Sequence, residues 1–372
     1  MKFGILALSL SAVVVLSSCS DDATTPTKQP LQVPAVYDST SWRTNAATEL
    51  GVRAALTTLT ATMQAGRTQG TVVQLSAMQE QFSGMSPVTT PLYRDVVSSW
   101  AGELAKASGN TYDPRKPVAE NGEGGVFGGY LFDEYGVEPE QVIEKGLFAG
   151  AMYNHALSLM DREPSVAAVD GLLAVYGAHP AFANTGTSGK PNRDVHVANY
   201  AARRSDTANR QSYYERIKTA LLTARAAASA GTEYSEEYRN ALATFRRLWE
   251  EVTMATVVNY LHSAIATMQN PSPTDAQLGA AMHAVGEAVG FSWGFKGIRS
   301  DRRIVTDTQI DELLGLMNVP ATENKNMATL FLNPQAGIVA LDAARTRIKN
   351  IYGFTDSQIE DFRINYVSSQ KR

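Results

Sequence analysis

The chain has 372 residues, of which 44% are hydrophobic, 8% aromatic and 19% charged, with 33 basic against 37 acidic side chains and a formal net charge of −4. That composition excludes intrinsic disorder, collagen and a multi-span membrane protein, and a sequence pI of ≈ 5.8 leaves no general basic footprint for nucleic acid. A single cysteine excludes an internal disulfide framework and any Cys-rich zinc or iron–sulfur site.

Residues 1–18 read as a lipoprotein signal peptide. Met1-Lys2 is a short basic n-region, and residues 3–16 form an apolar h-region too short to span a bilayer comfortably. Leu16-Ser17-Ser18-Cys19 then has the form of a lipobox, in which small residues precede a cysteine that is acylated and becomes the new N-terminus. The alternatives are a cleaved signal followed by a free thiol, or an uncleaved anchor. Two or more acyl chains give stable anchoring, so Cys19 is expected to hold the protein on the outer membrane. Residues 19–35 are Thr- and Pro-rich and read as a flexible tether, with folded structure beginning after about Pro34.

From Trp42 onward the helical period dominates and long alternating Val/Ile/Thr/Tyr runs are absent, which predicts an all-α fold over residues 36–372. Helices are expected over 44–67, 71–84, 91–107, 138–161, 165–176, 193–204, 209–230, 234–268, 273–294, 307–317, 335–352 and 355–367. Segment 234–268 is the most informative. It places Tyr238, Leu242, Phe245, Trp249 and Val252 on one face, then Met254, Val258, Leu261, Ile265 and Met268 on nearly the opposite one. Such a helix spans about 50 Å and should lie buried in a bundle, changing partners midway and connecting two packed subregions. The glycine-rich stretch 121–130 reads as a long inter-helix loop, since no strand precedes it and no Gly-Lys-Ser/Thr follows. Stretch 182–192 reads as a surface excursion or hinge.

Among five histidines (His155, His179, His196, His262, His283), only His283-Ala284-Val285-Gly286-Glu287 has ligand-like spacing. Side chains at i and i+4 share a helix face about 6 Å apart. One histidine and one carboxylate make half a metal site, so further ligands must arrive from elsewhere, with Glu144, His155, Glu251 and His262 eligible. Within the pairs Glu144/His155 and Glu251/His262 eleven residues separate the partners by about 16 Å along a helix, so neither chelates alone. The alternatives for His283 and Glu287 are a buried hydrogen-bonded pair that fixes helix register, or a site for another ligand. Catalytic signatures are missing: there is no Gly-x-Ser-x-Gly elbow and no His-Glu-x-x-His helix. The adjacent acids Asp133-Glu134, Glu236-Glu237 and Glu250-Glu251 read as solvated charge or caps, and the aromatics Trp249, Phe291, Trp293 and Phe295 as core. The basic run Arg299-Ser300-Asp301-Arg302-Arg303 reads as a solvated loop, with an anion site as the alternative.

Three segments carry a family resemblance: Glu144-Lys145-Gly146-Leu147-Phe148-Ala149-Gly150, then Arg246-Arg247-Leu248-Trp249-Glu250-Glu251-Val252 leading to Asn259-Tyr260-Leu261, then His283-Ala284-Val285-Gly286-Glu287-Ala288-Val289-Gly290-Phe291. Over most of the mature chain, from about Tyr37, the sequence resembles an uncharacterised family of Bacteroidota lipoproteins, which is similar in turn to imelysin-like proteins. Ser20-Asp21-Asp22 likewise resembles the acidic export signal that sends such lipoproteins to the cell surface rather than the periplasmic face. The resemblance implies an imelysin-like helical bundle outside the inner membrane, associated with iron or haem acquisition. It also implies that His283 and Glu287 are the counterpart of the family's Gly-x-His-x-x-Glu motif. Here the spacing is His-x-x-x-Glu and Ala281 stands where the glycine is expected, which moves the carboxylate by about 100° around the helix. The stretch Tyr176-Gly177-Ala178-His179-Pro180 departs from the pattern as well. The functional expectation is a non-enzymatic binding component for iron, haem or another nutrient, with iron, zinc or haem as the candidate cofactor, an outer-membrane uptake receptor as the candidate partner and no role for nucleic acid. A structural or protein-interaction lipoprotein and a metal-dependent hydrolase are the alternatives.

Overall fold

The computed structural model describes residues 28–319 and 326–372, so the expected signal peptide, Cys19 and the first part of the expected tether lie outside the described residues. The chain is already docked before Pro34. Lys28 Nζ lies 2.6 Å from Glu237 Oε1 and 4.7 Å from the centre of the Tyr234 ring, the Tyr234 hydroxyl donates to the Gln29 carbonyl at 3.1 Å, and Leu31 packs against the core.

The elements follow the apolar period closely. A short turn α1 (Trp42–Asn45) leads into α2 (Ala47–Gln64), whose Val52, Leu56, Leu59 and Met63 are buried at three- and four-residue steps. Then come α3 (Leu75–Phe82) and α4 (Pro91–Ala107). Pro91 at the start of α4 needs no N–H partner, and Thr90 Oγ1 accepts from the Tyr93 amide at 3.3 Å. Next stand α5 (Pro139–Leu147), one π-helical stretch (Phe148–Tyr153) and α6 (Asn154–Met160), followed by α7 (Val166–Tyr176), α8 (His196–Arg203), α9 (Tyr213–Ala230) and α10 (Ser235–Met268). The chain finishes with α11 (Asp275–Trp293), α12 (Asp307–Leu316), α13 (Thr329–Leu332), α14 (Pro334–Tyr352), α15 (Asp356–Asp361) and α16 (Tyr366–Ser369). Capping boxes start α11 (Thr274 with Gln277), α12 (Thr306 with Gln309) and α15 (Thr355 with Gln358).

The all-α expectation holds, with local differences. The glycine-rich stretch contains a small hairpin, β1 (Gly125–Phe127) against β2 (Tyr130–Phe132), in which Val126 pairs with Leu131. Three-residue strands are too short to show alternation in sequence. The helix expected over 138–161 is interrupted by the π-helical stretch, and the one expected over 355–367 breaks into α15 and α16. Stretch 182–192 is partly anchored rather than a free excursion: Asn184 and Thr185 are buried, and the C-terminal Arg372 donates to the Asn184 carbonyl at 2.6 Å.

Helix α10 is the axis of the bundle, packed by α9, α11, α14 and α8, and its middle stretch from Leu248 to Val258 is buried on every side. Helix α11 then lies against α5 at unusually close range. An added Cβ at Gly290 would overlap the Gln141 carbonyl oxygen, and one at Gly294 would overlap the Gly146 carbonyl. On its other side α5 meets Tyr93, whose ring covers Gly146 and Gly150 and whose hydroxyl donates to the Val142 carbonyl at 2.6 Å. Glycines thus bring α11 to near backbone contact with α5 and seat the Tyr93 ring of α4 on α5, which brings the polar side chains of α5 and α11 face to face.

A candidate functional site between two close-packed helices

The start of α5 supplies Glu138, Glu140, Gln141, Glu144 and Lys145, and α11 supplies His283 and Glu287 one turn apart. Arg67, just past α2, and Tyr130 of β2 close the group. His283 Nδ1 lies 2.6 Å from Glu138 Oε2, and its Nε2 lies 3.5 Å from Glu287 Oε2. Its ring stacks on Tyr130 at 4.3 Å. Lys145 Nζ bridges Glu144 (2.8 Å) and Glu287 (3.3 Å), with the Tyr200 hydroxyl of α8 3.5 Å from Glu287 Oε1. Arg67 pairs with Glu138 at 2.9 Å and Glu140 at 2.7 Å, and Glu140 also accepts from Gln64 at 3.1 Å and Gln141 at 3.0 Å. The Gln141 Oε1 atom is buried with no hydrogen-bond partner among the described residues.

Burial here is nearly complete: the Glu138, Glu140, Lys145 and Glu287 side chains are buried, while His283 keeps 19% of its surface exposed. Burial and the neighbouring Glu138 charge, set against Arg67, push the Glu140 carboxyl up to about 8. Burial would depress His283, but the charge and hydrogen bond of Glu138, then the Glu287 charge, outweigh it and hold the imidazole above its ordinary range. Burial acts on Lys145 the same way and is outweighed by Glu144, Tyr200 and Glu287, which keep the ammonium charged. The cluster therefore favours the protonated form at both His283 and Glu140, beside the charges of Arg67 and Lys145.

The other sequence candidates divide. Glu144 stands within the cluster through Lys145. His155 lies elsewhere, its Nε2 2.8 Å from Glu49 Oε1 of α2. Glu251 is paired with Arg247 one turn earlier on α10. His262 lies 2.9 Å from the Ile359 carbonyl through Nε2 and accepts from Arg363 Nε at 3.0 Å. Burial, then the Arg345 and Arg363 charges, lower its pKa against the Ile359 hydrogen bond. Glu251 and His262, although both on α10, do not join His283. Among the described residues no group of three or more His, Cys, Asp and Glu is arranged to hold a metal ion.

Glu138, Glu140, Gln141, Lys145, Arg67 and Tyr130 stand in the cluster without having been sequence candidates. Glu138 precedes Pro139 at a helix start, where acids are common as caps, so nothing in its local sequence signals burial. Arg67 arrives from some seventy residues away (|i−j| = 71), with no local signal. The reading of Glu250-Glu251 as solvated charge is also corrected: Glu250 is 1% exposed and is held by the Ile304 and Val305 amides and the Tyr352 hydroxyl. Asp133 is likewise buried, with Oδ1 accepting from the Tyr135 and Val137 amides. The core reading of the aromatics holds for Trp249, Phe291 and Phe295, whereas Trp293 is only partly buried. No protein-family model, curated protein or solved structure matches the chain.

Proposed function

We propose that this protein is a lipid-anchored, non-enzymatic binding component of outer-membrane nutrient capture, kin to imelysin-like proteins, and that it takes its ligand at the His283 cluster. One observation carries the reading: the carboxylates of Glu138, Glu140 and Glu287 and an orphaned amide oxygen are buried together around His283, and burial with the neighbouring charges raises the pKa of both His283 and Glu140. An ordinary core buries polar groups in matched pairs. A proton-loaded set of acceptors is what a metal cation or haem iron can discharge, releasing protons as it binds. Iron, zinc or haem is the proposed ligand, an outer-membrane uptake receptor the proposed partner and Cys19 the proposed anchor.

The test uses the full chain purified in non-ionic detergent without chelator, with His283→Ala beside it. Elemental analysis and an absorption spectrum should find about one metal or haem per chain, lost in the variant, and metal addition to emptied protein should acidify a weakly buffered solution. A wild-type protein that arrives empty and takes up neither added iron, zinc nor haem refutes the ligand assignment and leaves the cluster as packing. For the anchor, Cys19→Ala should move the protein from the membrane to the soluble fraction; unchanged membrane retention would refute it.

A further inference from the structure

The basic run after α11 does not behave as a solvated loop. From beneath, Glu250 of α10 accepts from the Ile304 and Val305 amides at 2.8 Å, and the Tyr153 hydroxyl donates to the Arg302 carbonyl at 2.7 Å. Arg303, its side chain 3% exposed, is spent on the Ile298 and Val305 carbonyls and on Asp307. The loop is thus pinned to the bundle, and Arg302 is left along its edge.

Two cavities of about 280 and 430 Å³ adjoin there, with Ala243, Arg246 and Arg302 as their common wall. Together they form one cleft between α10, the turn joining α6 to α7, and the pinned loop. Four guanidiniums line the larger part (Arg162, Arg239, Arg246 and Arg302) against two carboxylates, Asp161 and Glu163. Asp161 is already shared by Arg299, at 2.8 Å, and Arg302. Arg246 donates to the Asp301 carbonyl at 3.1 Å, Arg239 forms no ion pair among the described residues, and Arg162 meets a carboxylate only through its charge on Glu49. A chain of net charge −4 therefore gathers more guanidiniums than carboxylates at one concave place, and planar guanidinium forks match tetrahedral oxyanions two bonds at a time. Met160, Pro164 and Leu242 give the same cavity an apolar side, and its volume exceeds that of a bare ion.

We propose that this cleft binds a phosphate ester, its phosphoryl oxygens held by Arg162, Arg239 and Arg246 beside Arg302, and its organic part lying against Met160 and Leu242. The site is separate from the His283 cluster, and neither reading depends on the other. Two sources share this chemistry, a soluble phosphomonoester and a lipid headgroup.

The experiment is calorimetric titration of the full chain in non-ionic detergent, at fixed ionic strength, with glucose 6-phosphate and with dihexanoyl phosphatidic acid as probes. Saturable binding is expected for the wild type, weakened at least tenfold in Arg239→Glu and in Arg246→Glu and unchanged in the remote Lys116→Ala. Thermal unfolding of each variant serves as a check on folding, and the exposed Arg239 keeps the test valid if Arg246→Glu misfolds. Tighter binding of the sugar phosphate assigns a soluble ester, and tighter binding of the lipid assigns a headgroup. Absence of saturable binding for both probes, or binding that survives both charge reversals, overturns the proposal.

Discussion

Gly290→Ala tests whether the closeness of α11 to α5 is what builds the polar cluster. The new Cβ would overlap the Gln141 carbonyl oxygen and stand 2.9 Å from Lys145 Cβ. The main obstacle is backbone of a buried helix, which cannot rotate aside as a flexible side chain would. Replacing glycine by alanine in a helix interior gains about 1 kcal/mol of propensity, while overpacking costs about 1–3 kcal/mol. With a main-chain obstacle the upper end applies, so the net effect is a loss of about 1–2 kcal/mol. Gly102 of α4 is the internal control: nothing lies within 4 Å of its added Cβ, so Gly102→Ala should gain about 0.5–1 kcal/mol. An unfolding entropy of about 2.1 cal/mol/K per residue, over about 340 described residues, makes each kcal/mol worth roughly 1.4 °C. The two variants should then differ by about 2–4 °C in Tm, followed by circular dichroism and cross-checked by urea midpoints. A second readout is specific to the site: as α5 is pushed away, Glu138 withdraws from His283, and the imidazole pKa read by NMR should fall toward its ordinary value. Equal stability of the two variants would refute the packing argument, and an unmoved His283 would refute its link to the cluster.

Three further outcomes follow from the same geometry. Glu140 binds its proton more tightly folded than unfolded, so its contribution to stability falls as pH rises from 4.5 toward about 8. His283, raised above its ordinary range, acts in the same sense, since its stabilisation is present below the unfolded pKa and lost as pH rises through the folded one. Stability from urea titrations should therefore decline between pH 6.5 and 8, by at most about 1.4 kcal/mol per pH unit from Glu140, and Glu140→Gln should flatten that decline; a variant as steep as the wild type would contradict the assignment. Arg67→Ala removes the cation facing Glu138 and Glu140, both buried, and should cost about 3–5 kcal/mol at pH 7, recovering in part at pH 5; a loss under 1 kcal/mol in denaturant titrations would show that neither acid is charged. Tyr93→Phe leaves ring packing intact but removes the hydroxyl's additional bond to the Val142 carbonyl, so a loss of about 1 kcal/mol is expected, and an unchanged urea midpoint would contradict it.

The helices were legible because their apolar period is strong and their ends carry standard signals, such as Thr274 with Gln277. The π-helical stretch at Phe148–Tyr153 was not, since its apolar side chains satisfy an uninterrupted α pattern equally well. At the site, His283, Glu287 and Glu144 were found from helical spacing and from the family resemblance. Glu138, Glu140 and Arg67 were invisible because their meaning comes from which helices touch, and that is set by small residues such as Gly146, Gly290 and Gly294. A glycine in a helical pattern reads locally as a weakness; only when two helices are seen together does it become a point of contact. Glu250-Glu251 misled for a related reason, since paired acids look solvated until a loop's free amides are found above them.

Helix α10 has a bearing on how the molecule comes apart. Its central residues are covered on all sides, by α9, α11, α14 and α8, so lifting any one neighbour strips apolar surface from the axis on which the others rest. The elements before and after it in the chain share this single strut. Slow hydrogen exchange should accordingly be concentrated in the amides from Leu248 to Val258, with protection near the free energy of global unfolding, while the N-terminal strap at Lys28 exchanges early. The bundle gives way from its rim inward, and its axis is the last part to reach water.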